Sequence, residues 1–148
     1  MSWAGKRTLS RFFRSLLAKK GQAPSSSGPA PFHPLPEAEF QHVEQLVQQW
    51  VDGKGYRLPD TRMSQAARRI GTDSQTLYRY FQSRGQDFRS WRTRLRIADA
   101  QEQLLQEPGA PASTVGRRVG IPDRSNFTRQ FKDICGQTPE SWRKSHKI

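Results

Sequence analysis

One cysteine, Cys135, leaves no partner for an intramolecular disulfide and no multi-cysteine zinc site in these 148 residues. Histidine is almost as scarce. His33, His42 and His146 fall in a Pro-rich stretch, an amphipathic segment and the C-terminal tail, without ligand spacing among them. No glycine-rich phosphate loop follows a strand-like run, so neither a metal nor a cofactor is expected and an enzyme is not indicated. Nor does any apolar run approach the roughly 20 residues that a membrane span requires. Acidic residues are few: 13 Asp and Glu stand against 25 Lys and Arg, and none occurs in residues 1–36.

The resulting net charge of +12 favours a polyanionic partner, nucleic acid first and an anionic membrane surface second. Charge alone is also compatible with a basic protein that is merely well solvated, the less favoured reading. Cys135, in the last turn before Gly136, reads as a small buried residue in preference to a reactive thiol.

The most informative stretch runs from Val119 to Lys132. Gly120 permits a sharp turn, Pro122 interrupts any continuous helix, and Asp123 is placed to cap a helix starting near Arg124. Phe127 and Phe131, four apart, then face inward and leave Arg124, Ser125, Thr128 and Arg129 on the outer face. This is the layout of the recognition helix of a helix-turn-helix, whose N-terminal residues meet base edges in a major groove. An earlier stretch repeats it. Ala67 to Gly71 parallels Gly116 to Gly120, Leu77 to Phe81 parallels Phe127 to Phe131, and Gly85, Trp91 and Arg92 parallel Gly136, Trp142 and Arg143. The chain thus carries one supersecondary unit twice.

Residues 1–20 place Leu9, Phe12, Phe13, Leu16 and Leu17 at helical spacing among six Lys and Arg. That segment suits an anionic membrane surface, DNA phosphates, the stub after a membrane helix in a longer parent, or a disordered basic tail. Residues 21–36, rich in Pro, Ser, Gly and Ala, read as a linker. Glu37 to Val51 is predicted as an amphipathic scaffold helix ending before Asp52, and 53–59 as a loop. A short helix over 63–70 leads into the Gly71 turn, and Asp73 caps the first recognition helix, Ser74 to Ser83. Asp87 caps a long helix to about Gln106, with Phe88, Trp91, Leu95, Ala98 and Leu105 on one face. Its length of roughly 28 Å approaches the ~34 Å between major grooves one turn apart. Ser113 or Thr114 is expected to cap the next helix, and Thr138 with Pro139 the last.

The expected fold is all-α, about seven helices forming two helix-turn-helix subdomains joined by a long linker helix. Its divisions are a basic segment and linker over 1–36 and a DNA-binding domain over 37–148. Within the domain, 37–84 is the first helix-turn-helix unit, 85–107 the linker helix and 108–148 the second unit.

The second half resembles the AraC/XylS family of bacterial transcription regulators. The residues that carry the likeness are Val119-Gly120, Asp123, Ser125, Phe127, Arg129, Phe131-Lys132, Gly136, Pro139 and Trp142-Arg143. The match extends back through Arg94, Leu95, Arg96, Ala100, Leu104 and Leu105 to about residue 62. The resemblance implies sequence-specific binding of double-stranded DNA near promoters, with RNA polymerase as a protein partner and a cytoplasmic location. Ile121 departs from the family's aromatic and Gly116 from its alanine; Gly116 is expected to cost its helix up to about 1 kcal/mol relative to Ala. No effector-binding domain of the kind many members carry precedes the motif, so no small-molecule effector site is expected in this chain. The Trp-containing helix after a basic segment is similar to the membrane-tethered members, as a fragment of a longer parent would be. DNA-repair methyltransferases with a similar DNA-binding half use clustered zinc-binding cysteines, which one cysteine cannot supply.

Arg124 and Arg129 lead the base-contact candidates because arginine pairs bidentately with guanine, although either also suits phosphate. Ser125 and Thr128 accompany them, and Ser74, Gln75, Tyr78 and Arg79 are the equivalents in the first unit. Gln75 suits adenine; Tyr78 suits a thymine methyl or a phosphate. Arg68, Arg69, Arg117, Arg118, Lys132 and Arg143 are the phosphate-contact candidates, or solvated surface cations. The expected function is a sequence-specific DNA-binding regulator. The alternative is a basic membrane-surface or adaptor protein in which the helix-turn-helix units are scaffold only.

Overall fold

Asp73, Asp87, Asp123 and Thr138 each stand just before a helix and accept a hydrogen bond from the backbone N–H three residues on. These caps set where the helices begin, because each satisfies an N–H that has no partner within its helix. The structure is a computed structural model describing residues 33–59 and 62–147. The basic segment 1–20 and most of the expected linker lie outside the described residues.

Seven α-helices form among the described residues: α1 (Glu37–Asp52), α2 (Met63–Ile70), α3 (Ser74–Ser83), α4 (Phe88–Gln106), α5 (Ala112–Arg118), α6 (Arg124–Cys135) and α7 (Pro139–Ser145). A 3-10 turn, Gly55–Arg57, lies in the expected loop after α1. The turns α2–α3 and α5–α6 repeat each other in backbone geometry. Gly71 and Gly120 adopt φ of 106° and 102°, a left-handed conformation that favours glycine.

Two hydrophobic cores flank one helix. The first gathers Val43, Val47 and Val51 of α1, Ala66 and Ile70 of α2, and Leu77 and Phe81 of α3 around Phe88, Trp91 and Leu95 of α4. Trp50 stacks on Trp91 at 6.0 Å between ring centroids. The second gathers Val115, Val119, Phe127, Phe131 and Trp142 around Ile97, Ala100 and Leu104, also from α4. Every residue from Leu95 to Ala100 is therefore buried, since the middle of α4 is covered on both sides.

Polar residues tie the first unit's loop to this shared helix. Arg57 donates to both carboxylate oxygens of Asp99 at 2.5 and 2.8 Å, Tyr56 Oη donates to the same group at 2.9 Å, and Gln103 adds a bond at 3.0 Å. Arg96 donates to the carbonyls of Tyr56 and Leu58, each at 2.6 Å. Gly120 rests on that same loop: a Cβ there would lie 2.5 Å from the Arg57 carbonyl oxygen. The turn of the second unit thus packs against a loop of the first.

Several expectations need correction. The helix α5 starts at Ala112 with Pro111 before it, not after Ser113 or Thr114; proline's fixed φ, here −59°, already suits the approach to a helix. Helix α1 includes Asp52. Leu105 is 39% exposed, because the second core covers only the neighbouring face of α4 at that depth. Leu35 is buried in the first core, so the segment expected as free linker is packed by this point. Gly116 is not a poor substitute for alanine: a Cβ would lie 2.6 Å from Phe127 Cγ, so the missing side chain lets α5 approach α6.

Candidate nucleic-acid interface

A recognition helix needs its inward side chains fixed so that the outward ones are presented in register. In α3, Leu77, Tyr80 and Phe81 are buried; in α6, Phe127 and Phe131 are. On the opposite faces Ser74, Gln75 and Tyr78 are exposed, as are Arg124, Ser125 and Arg129, with Thr128 half-buried. Tyr78 is 55% exposed, a large ring that the core does not use.

The two helices start in the same way. Thr76 N–H donates to Asp73 at 2.8 Å and Asn126 N–H donates to Asp123 at 2.7 Å. Hydrogen bonds from the Thr76 backbone and then its hydroxyl hold the Asp73 carboxyl below the usual carboxylate range. The caps leave both N-termini open to solvent, where unbonded N–H groups and the helix dipole favour an approaching phosphate.

The candidate cations divide by what already holds them. Arg68, Arg69, Arg117, Arg124 and Lys132 are exposed, and their side chains make no hydrogen bond or ion pair with a described residue. Arg129 donates to Asn126 Oδ1 one turn back on its own helix, which orients it without burying it. Arg118 pairs with Glu107 at 2.8 Å, both well exposed, a contact that bound phosphate can displace at small cost.

Two arginines are engaged elsewhere. Arg143 donates to the carbonyls of Leu104, Glu107 and Ala110 at 2.9, 3.2 and 2.7 Å, closing the end of α4 and the connection to α5. This phosphate-contact candidate thus already satisfies backbone carbonyls that would otherwise lack donors. Arg79 donates to the carbonyls of His33 and Pro34 at 2.7 and 2.9 Å, so its guanidinium lies on the incoming chain and not on the open face of α3.

Asn126, which steers Arg129, was not singled out by sequence reasoning, although its i, i+3 spacing was a usable signal. The Arg57–Asp99 pair carried no signal, being 42 residues apart.

A groove of about 370 Å3 runs beside α3, lined by Met63, Tyr78, Phe81, Gln82 and Phe88 among others. No group of three or more His, Cys, Asp or Glu that could hold a metal occurs among the described residues. No described helix is long and apolar enough to cross a membrane. Cys135 is half-buried against the second core and accepts from Gln101 at 3.1 Å; burial pushes its thiol up to about 11.

Comparison with known proteins gives the geometry its setting. Residues 66–145 match a family model described as a helix-turn-helix domain. The chain is 31% identical over 150 residues to the HTH-type transcriptional regulator RipA of Corynebacterium diphtheriae, covering 95% of this chain and 41% of that protein. It is 30% identical over 110 residues to the transcriptional activator NphR of Rhodococcus sp, covering 74% and 32%. Over 54 residues it is 43% identical to the arabinose operon regulatory protein of Escherichia coli, covering 36% and 18%. The chain thus spans less than half the length of these curated relatives. In fold it is similar to the C-terminal domain of AraT, a response regulator from Geobacillus stearothermophilus, with a TM-score of 0.62 at 21% identity over 80% of this chain and 91% of that one.

Proposed function

The chain belongs to the AraC-type helix-turn-helix family of DNA-binding transcription regulators, and from that premise we propose that α3 and α6 enter successive major-groove segments of one duplex. The observation that carries this reading is the paired geometry of the two helices. Each is capped by an aspartate, follows a left-handed glycine, and packs inward on the same helix α4. A shared wall and the Arg57–Asp99 bridge keep the two units from swinging independently.

Phosphate neutralisation by Arg68, Arg69, Arg117, Arg118 and Lys132 supplies affinity, and base contacts supply specificity. Gln75, with Ser74 and Tyr78 beside it, reads one element; Arg124, with Ser125, Thr128 and Arg129, reads the other. Two motifs in one chain make an asymmetric site sufficient. No catalytic step belongs to this reading, and the protein would work in the bacterial cytoplasm, at a promoter, with RNA polymerase as its protein partner.

Selection of bound duplexes from a random pool at near-physiological salt tests the proposal. The expected motif has two elements about one helical turn apart. Arg124→Ala should relax one element and Gln75→Ala the other. A pool that yields no motif, with binding lost uniformly as salt rises, would overturn specific reading and leave a nonspecific polyanion binder. Binding to anionic vesicles with no duplex binding would favour the membrane-surface alternative.

A further inference from the structure

Arg96, Asp99 and Gln103 recur at i, i+3 and i+7 on one face of α4, and all three are buried. Both units meet at this face. Arg57 and Tyr56, from the loop after α1, donate to the Asp99 carboxylate, and Arg96 donates to the carbonyls of Tyr56 and Leu58 on the same loop. Gly120, in the turn that leads into α6, stands where a Cβ would lie 2.5 Å from the Arg57 carbonyl oxygen and 2.9 Å from Arg96 Nε. Arg118 of α5 reaches Gln103 at 3.4 Å. A polar seam thus runs from the first unit through α4 to the second. Neither hydrophobic core contains residues of both α1–α3 and α5–α7, so resistance to a pivot about α4 falls to the seam.

We propose that this seam sets the spacing between the two DNA elements that the protein accepts, with Tyr56 and Arg57 as positioning residues that touch no DNA. The inference rests on the groove-binding reading above. One base pair added between the elements moves the second by about 3.4 Å along the duplex and turns it by roughly 35° about the axis. For α6 to follow while α3 stays in place, the second unit has to move by a comparable distance. The bonds of the seam hold only within about half an ångström of their lengths, and Gly120 lies against the backbone of the Arg57 loop, so such a movement breaks the seam. An intact seam therefore excludes spacings that a loosened one admits.

The test measures the affinity of the full chain for duplexes carrying the selected motif, with the spacing between its elements kept or changed by one or two base pairs either way. Wild type should lose about tenfold or more per base pair of change, the scale of a misplaced base contact. Arg57→Ala leaves Asp99 its bonds from Tyr56 and Gln103. It should lower the spacing penalty to about threefold, a change within the range of couplings between contacting residues, while base preferences inside each element stay as in wild type. Tyr56→Phe, which removes one hydroxyl, should flatten the profile by less and serves where Arg57→Ala weakens folding. Val43→Ala, in the first core and no part of the seam, controls for lost stability and should keep the wild-type spacing profile. A profile that both seam variants leave unchanged overturns the proposal, as does a wild-type profile that is already flat. Relaxed base choice within an element in Arg57→Ala, or equal flattening in Val43→Ala, overturns it too. Wild-type protein that selects a single element, or binds no duplex, would instead sink the groove-binding reading itself.

Discussion

Gly116 and Phe127 are so close that a Cβ on the glycine would stand 2.6 Å from Cγ of the ring and 3.1 Å from its Cβ. Phe127 is buried in the second core, so its near end cannot swing away. This contact seats the first helix of the second helix-turn-helix on its recognition helix.

Gly116→Ala is expected to destabilise the protein despite alanine's better helix propensity. Propensity offers at most about 1 kcal/mol, while overpacking a filled core costs about 1 to 3 kcal/mol. Chemical denaturation should show the midpoint falling; a rise would mean that α5 shifts freely.

Asp99→Asn should cost on the order of 2 to 4 kcal/mol, because it leaves Arg57 without its counter-charge in a partly buried site. Burial alone would raise the Asp99 carboxyl, but the bonds from Arg57, Gln103 and Tyr56 outweigh it and hold the group below its usual range. A folded value below the unfolded one gives stabilisation that is complete above about pH 4 and drains away as pH falls through the folded value. Thermal melts should therefore show wild type losing stability in acid more steeply than Asp99→Asn.

Arg143→Ala and Arg117→Ala separate fold from DNA contact. Removing Arg143 strips donors from three carbonyls and should lower stability by about 1 to 3 kcal/mol. Removing Arg117 should leave the melting temperature within error and reduce the salt slope of duplex binding by about 1. Equal stability losses would erase the distinction.

Cys135 should react slowly with thiol reagents. A thiol pushed up to about 11 holds about 100-fold less thiolate at neutral pH than one at its ordinary value near 9. Greater intrinsic nucleophilicity offsets part of that, leaving a rate about tenfold lower. Denaturant should restore the ordinary rate, and fast labelling of folded protein would count against burial as the controlling factor.

The helices, the caps at Asp73, Asp87, Asp123 and Thr138 and the inward rings were legible because each signal is local. Asp123 and Asn126 are three residues apart, Phe127 and Phe131 four, and a repeated spacing places each unit without any knowledge of its surroundings. The roles of individual cations were not legible in this way. Arg143 and Lys132 look alike in a sequence of exposed cations, yet one lies on carbonyls up to 39 residues away and the other projects into solvent.

The amino-acid sequence by itself determined the all-helical twin unit and which rings of each recognition helix face inward, since propensity, capping and helical periodicity act within a few residues. Only the tertiary structure decided that Gly116 fits against Phe127, that Arg57 bridges to Asp99, and that Arg79 holds the entering chain. Those outcomes depend on which distant backbone or side chain arrives within a few ångströms, and packing α4 between two cores is what brings them there.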